Sequence, residues 1–154
     1  MDAIDKKIIS LLQVEGRTSC EKISSVVGLS ISAVNERIKK LQKQEIIIGW
    51  GAHICPQKVG FDVLSFIQIL FGKNVLDEKS FLIDIAKIPE VLECHHITGE
   101  WSYLLKMRCR TIGHLENILG EKIKQIPGIL RTHTLIALSS PLERATLPLE
   151  FHES

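Results

Sequence analysis

Gly28-Leu29-Ser30 constrains this chain most, because it separates two short helical patterns by only three residues. Ahead of it, Thr18-Ser19-Cys20-Glu21 places a hydroxyl three residues before a carboxylate, the signature of a capping box. Ile23, Val26 and Val27 follow as an apolar face that stops at Gly28. After it, Ser30 is placed as an N-cap, and Ile31, Val34, Ile38 and Leu41 recur at helical spacing. An earlier helix carries Ile4, Ile8, Leu11 and Leu12, with Asp2 as N-cap and Gly16 as a left-handed C-cap. Two short helices joined through a glycine, the second capped by serine, make a helix-turn-helix. The same spacing also fits a helical hairpin with no DNA partner.

The outward side of the third helix carries the functional signal. Opposite its apolar stripe lie Ser32, Glu36 and Lys40, flanked by Ala33, Arg37 and Lys39. A helix entering the major groove needs short side chains where its N-terminus meets base edges and cations where it passes phosphates. Ser30, Ser32, Ala33, Glu36, Arg37, Lys39 and Lys40 are therefore the candidate contacts to double-stranded DNA. Glu36 repels phosphate; it either accepts a hydrogen bond from cytosine N4 or pairs with Lys40 at i, i+4. Net charge is only +1, so attraction to DNA rests on the local patch of Arg37, Lys39, Lys40 and Lys43.

Composition excludes several classes. With 45% hydrophobic and 24% charged residues, the chain is globular rather than disordered. No apolar run approaches the ~20 residues of a membrane span, and residues 1–15 carry charges throughout, unlike a secretory signal. The four cysteines form no CxxC pair and read as reduced thiols of a cytoplasmic protein.

Ile46–Ile54 is rich in β-branched residues and is expected to form a strand or β-ribbon, a wing after the helix-turn-helix. Residues 1–54 thus make one domain, 55–62 a linker containing Pro56 and Gly60, and 63–154 a second domain. The second half alternates: strand 63–71, helix 77–88 stopped by Pro89, strand 91–97, a turn at Gly99-Glu100, strand 101–109, helix 111–126, strand 129–138. The order βαββαβ is the ferredoxin-like plan, so the fold class is α+β. That plan covers one sheet face with helices and leaves the other bare. By parity Val63, Ser65, Ile67, Ile69 and Phe71 share one face, and Leu64, Phe66, Gln68 and Leu70 the other. On the third strand Trp101, Tyr103, Leu105 and Met107 point one way and Leu104 the other. Both faces are mainly apolar, so the bare one is expected to meet a second copy. A charge at Ile67 or Ile69 is expected to disrupt that contact.

These residues resemble the Lrp/AsnC (leucine-responsive, feast/famine) transcription regulators. The opening MDAIDKKII is similar to the family's LDxxDxxIL, Gly16-Arg17-Thr18-Ser19 to its GRxs, and residues 28–41 to its GLSxsxVxxRixxLe. Val91-Leu92-Glu93-Cys94, Thr98–Leu105, Ile126–Ile129 and Thr132-His133-Thr134 resemble V.ec, tGxyDyll and lpGv…T.T. The resemblance extends to about Leu149. It implies a DNA-binding domain joined to a ligand-sensing and oligomerisation domain, and dimers that assemble into tetramers or octamers. It also implies a small effector, commonly an amino acid, bound between subunits near Thr98, Gly99, Ser102, Thr132 and Thr134. Two positions depart from the pattern. Glu45 stands where the family has Gly, so the turn there is expected to differ. Ser102 replaces the family's Asp and lacks a charge for an ammonium group, which Glu100 supplies only if the turn aims it inward.

Cys94-His95-His96 and His133 suggest a metal site, but strand neighbours point to opposite faces and no carboxylate completes a tetrahedron, so no metal is expected. No cofactor is expected either. The chain also resembles siroheme decarboxylases on the same two-domain plan, which would recruit His95, His96, His133, Arg108 and Arg110. A basic helix-turn-helix face, which an enzyme does not need, favours the regulator over the enzyme.

Overall fold

The computed structural model describes residues 1–72 and 75–149, the side chains of 75–78 excepted. Contacts divide the chain into two units, one of Met1–Ile54 with the segment from Leu142 onward, the other of Cys55–Pro141.

The first unit holds α1 (Ala3–Val14), α2 (Cys20–Val27) and α3 (Ile31–Lys43) around Ile8, Ile9, Ile23, Val34 and Leu41. Each helix start is capped by a side chain. Asp2 and Asp5 form a reciprocal capping box, Asp5 N donating to Asp2 Oδ1 at 2.8 Å and Asp2 N to Asp5 Oδ2 at 3.0 Å. Ser19, one residue later than the sequence suggested, accepts from Lys22 N, and Ser30 accepts from Ala33 N. Gly28 ends α2 at φ 72°, a left-handed cap in which glycine carries no Cβ penalty. Gly16 does not play that part: α1 ends at Glu15, whose carbonyl accepts from both Thr18 N and Thr18 Oγ1.

Glu45 takes the conformation expected only of the family's glycine. Its φ is 55°, and Ile46 N closes the cap of α3 on Leu41 O. The turn therefore keeps its shape and the glutamate carries the strain, about 1–2 kcal/mol for a residue with a Cβ. Glu45→Gly is expected to raise the unfolding free energy of this unit by about 1 kcal/mol, after the entropy glycine adds to the unfolded chain. Urea denaturation checks this; an unchanged or lower midpoint contradicts it.

The expected strand over Ile46–Ile54 is absent: the segment has no regular structure, and Ile48 is 93% exposed. β-branched residues favour a strand only where a neighbour completes the ladder, and among the described residues no strand pairs with the segment.

The second unit is a four-stranded antiparallel sheet of β1 (Val63–Phe71), β2 (Val91–His96), β3 (Tyr103–Cys109) and β4 (Ile129–Ile136), in the order β2-β3-β1-β4. α4 (Val75–Ala86) and α5 (Ile112–Asn117) supply the helices, and Gln57–Val59 forms one 3₁₀ turn within the expected linker. The sheet and helices enclose Ile67, Ile69, Phe81, Ile85, Tyr103, Leu105, Met107, Leu115, Ile118 and Ile123. Ile67 and Ile69 are 0% exposed within a single subunit. They therefore belong to the subunit's own core, and a charge there tests folding rather than assembly.

The expected helix over 111–126 is not uniform beyond α5. Ile118–Ile123 is a π-helical turn, with Lys124 N bonded to Leu119 O at 2.9 Å. Five residues of α-helix would leave Ile118 and Ile123 about 140° apart. The wider turn brings both into the core, where both are buried.

The bare face follows from the register. Across the sheet run the rows His95–Leu104–Gln68–His133 and Glu93–Lys106–Phe66–Leu135. On the two central strands Leu104 and Phe66 alternate with Gln68 and Lys106, so this face is less uniformly apolar than the parity of β1 alone implied. Phe66, Leu70, Leu104 and Leu135 contribute apolar surface to it, none of them buried in the subunit.

Candidate nucleic-acid interface and effector site

The candidate DNA residues occupy different parts of α3. Ser30 is committed as the cap, and its hydroxyl lies 3.0 Å from that of Ser32. Ser32, Glu36, Lys39 and Lys40 are exposed and Ala33 is half-buried. Among the described residues no ion pair joins Glu36 to Lys40, so both charges face solvent rather than each other.

Arg37 lies apart from that exposed group. Its Nη1 donates to Asp2 Oδ2 at 2.7 Å and to Asp5 Oδ1 at 2.6 Å, bridging α3 to the start of α1. Asp5 is only 7% exposed, so the guanidinium compensates a buried carboxylate. The Asp5 N–H, and next the Arg37 guanidinium, hold the Asp2 carboxyl below its ordinary 3.8. A carboxyl depressed in the folded state stabilises the fold above its ordinary value and loses that contribution as pH falls through the depressed one. Arg37→Gln is expected to melt below the wild type at neutral pH, with a smaller gap at acid pH, where the Asp2 carboxyl gains its proton. Melting curves at both pH values check this; an equal gap at both contradicts it.

The effector candidates divide between two faces. Ile97 N donates to Ser102 O and Ser102 N to Ile69 O, both at 2.9 Å, pinning the 97–102 hairpin to the end of β1. Ser102 Oγ accepts from Phe71 N at 3.1 Å, so this serine already holds the hairpin in place. Thr98, Gly99 and Glu100 are exposed. Glu100 is paired with Arg131, whose guanidinium lies 4.6 Å from the Trp101 ring centroid, and that ring lies 6.0 Å from His133. Trp101 thus lies outside β3 and packs with bare-face residues of β4, not with the Tyr103 side that strand parity suggested. Thr132 and Thr134 pair with Ile69 and Ile67, which places both hydroxyls on the helix side of the sheet. A cavity of about 340 Å³ lies between Asp84, Lys87, Ile88, Lys122, Gln125 and Ile126.

The residues an enzyme of tetrapyrroles would recruit do not converge. His95 and His133 lie on the bare face, whereas His96 stacks on Tyr103 at 5.0 Å on the other. Arg108 is buried, and Arg110 covers the Phe61 ring. His95 and then Lys106 hold the Glu93 carboxyl below its usual range. Burial pushes the thiols of Cys94 and Cys109 up, away from the thiolate a metal needs. Among the described residues no three His, Cys, Asp or Glu side chains gather as metal ligands would. No helix among them is long and apolar enough to cross a membrane.

The AsnC-type helix-turn-helix domain matches residues 1–42, and the Lrp/AsnC ligand-binding domain matches residues 66–147. The chain belongs to the Lrp/AsnC family of transcription regulators. It is 35% identical to the HTH-type transcriptional regulator FL11 of Pyrococcus horikoshii, over 97% of each chain. It is 32% identical to the regulatory protein AsnC of Escherichia coli, over 96% of this chain and 97% of that one. Among solved structures, a transcriptional regulator of Neisseria meningitidis in complex with L-methionine is 28% identical. It superposes with a TM-score of 0.92 over 97% of each chain. The Lrp/AsnC assignment explains why a capped, outward-facing α3 and a βαββαβ sheet occur in one chain.

Proposed function

We propose that this Lrp/AsnC regulator reads duplex DNA through α3 and responds to a small effector, in the first instance an amino acid. The observation that carries the first part is the exposed face of Ser32, Glu36, Lys39 and Lys40 on a capped helix. Ser32 and Ala33 meet base edges, Ser30 shapes the helix start, and Lys39 and Lys40 meet phosphates. Arg37 positions the helix rather than touching DNA. Two copies associate through the bare sheet face, with tetramers or octamers built from such dimers in the cytoplasm. The protein acts by binding, not by catalysis.

The effector reading draws on the Neisseria relative with L-methionine and on a Mycobacterium tuberculosis feast or famine regulatory protein complexed with L-methionine. The hairpin offers backbone N–H groups at Gly99 and Glu100 for a carboxylate, while Arg131 already engages Glu100. Thr132 and Thr134 lie on the other side of β4, so they serve the same ligand only if a neighbouring subunit closes the site. Ser102→Asp restores a counter-charge for the ammonium end and keeps an acceptor for Phe71 N. It is expected to strengthen binding of an amino acid severalfold, read as a larger ligand-induced thermal shift across the twenty amino acids. If no amino acid shifts either the wild type or Ser102→Asp, the amino-acid effector is wrong.

A further inference from the structure

The segment from Leu142 onward follows the sheet in sequence yet joins the N-terminal unit. Its attachment is specific. Leu147 N donates to Gln13 Oε1 at 2.7 Å, and Gln13 Nε2 donates to Leu147 O at 3.2 Å, so the amide of Gln13 pairs with the backbone as a neighbouring strand would. Two residues on, Leu149 packs on the core of Ile8, Ile9, Ile23, Val34 and Leu41. Between them Pro148 fixes φ and brings no N–H that would need a partner. Five buried apolar side chains make a small core, so one further leucine weighs heavily in its stability. DNA contact through α3 uses none of these groups.

We infer that residues 142–149 are a strap that completes the DNA-binding unit and ties it to the end of β4. The first unit is then tethered at two places in the chain, after Ile54 and before Leu142. β4 carries Thr132 and Thr134, and Ala137 just beyond it donates to Leu64 O at 2.9 Å. A change at β4 therefore reaches α1 through the strap, and α1 reaches α3 through the Asp2 and Asp5 bonds to Arg37. The strap gives the sheet unit a covalent route to the DNA-reading helix besides the linker. The functional half of this inference rests on the reading of α3 as the DNA-contacting helix.

The test is hydrogen exchange on the full chain without DNA, comparing wild type with Gln13→Ala, Leu149→Asp and a chain ending at Pro141. The amides of α1 are expected to exchange about tenfold or more faster in the last two and less so in Gln13→Ala, with β1 and β3 unchanged. If Leu149→Asp fails to fold, Gln13→Ala still reports on α1. Unchanged α1 protection in every variant overturns the strap, as does a loss shared equally by β1 and β3. Affinity for duplex is expected to fall severalfold in the variants that loosen α1; loosened α1 with wild-type affinity overturns the coupling. Exchange needs no DNA, so a wild type that binds no duplex overturns the proposed function and leaves the strap to its own result.

Discussion

Gly128→Ala is expected to lower the stability of the sheet unit by about 3–4 kcal/mol. Two costs combine. Gly128 sits at φ 90°, which a residue with a Cβ rarely adopts, at about 1–2 kcal/mol. A Cβ there would also lie 2.4 Å from Phe71 Cζ, and overpacking of that kind costs about 1–3 kcal/mol. Neither side can yield cheaply. The Phe71 ring is packed 5.0 Å from Phe81 and 6.4 Å from Tyr103, while Gly72 N bonds Gly128 O at 2.8 Å and fixes the backbone. Urea unfolding measures the loss. In the double variant with Phe71→Leu the steric share disappears and only the backbone share remains, so the two changes are expected to be non-additive. A loss under about 1 kcal/mol contradicts this account.

Lys39→Ala/Lys40→Ala is expected to weaken duplex binding about 10³-fold at about 0.15 M salt, with little change in thermal stability. Each lysine is exposed, so removing it leaves the helix packed. The proposed dimer presents two copies of α3, so four phosphate contacts are lost. Each contributes ~0.9 to the slope of log affinity against log salt, a total of about 3.6, which at that salt is about three decades. The loss is expected for every sequence alike, because phosphates carry no sequence. Ser32→Ala is expected to alter preference among sequences instead. Titrations across a salt series separate the two, and a double variant with the wild-type slope contradicts the assignment of these lysines.

The helical parts were legible because they depend on local information. Asp2 and Ser30 are caps whose partners lie three residues away, and the spacing of Ile23, Val34 and Leu41 is a property of one helix at a time. The βαββαβ plan came from the alternation of strands and helices, which leaves few arrangements open. What depends on distant partners was not legible. Gln13 and Leu147 are 134 residues apart, and nothing near either announces the other. Ile46–Ile54 has the composition of a strand, but composition cannot supply a neighbour. Thr132 and Thr134 stand two apart on one strand and so share a side; only the pairing with Ile69 and Ile67 shows that it is the helix side.

Arg37 illustrates the limit at the candidate site. On a helical wheel it stands beside Lys40 and reads as one more cation for DNA. Its actual partners, Asp2 and Asp5, are spaced three apart on the opening turn of α1. Asp5, on the face of α1 that carries Ile8 and Ile9, was a visible signal for an inward cation, because a buried acid needs one.

Selection of duplexes from a random-sequence pool by the full chain tests the central claim most directly. The account predicts enrichment of a two-fold symmetric site, its halves about 34 Å or a multiple of that apart, and an altered motif for Ser32→Ala. Recovery of duplexes with no common motif, or of the same motif by Ser32→Ala and wild type alike, would contradict sequence reading by α3.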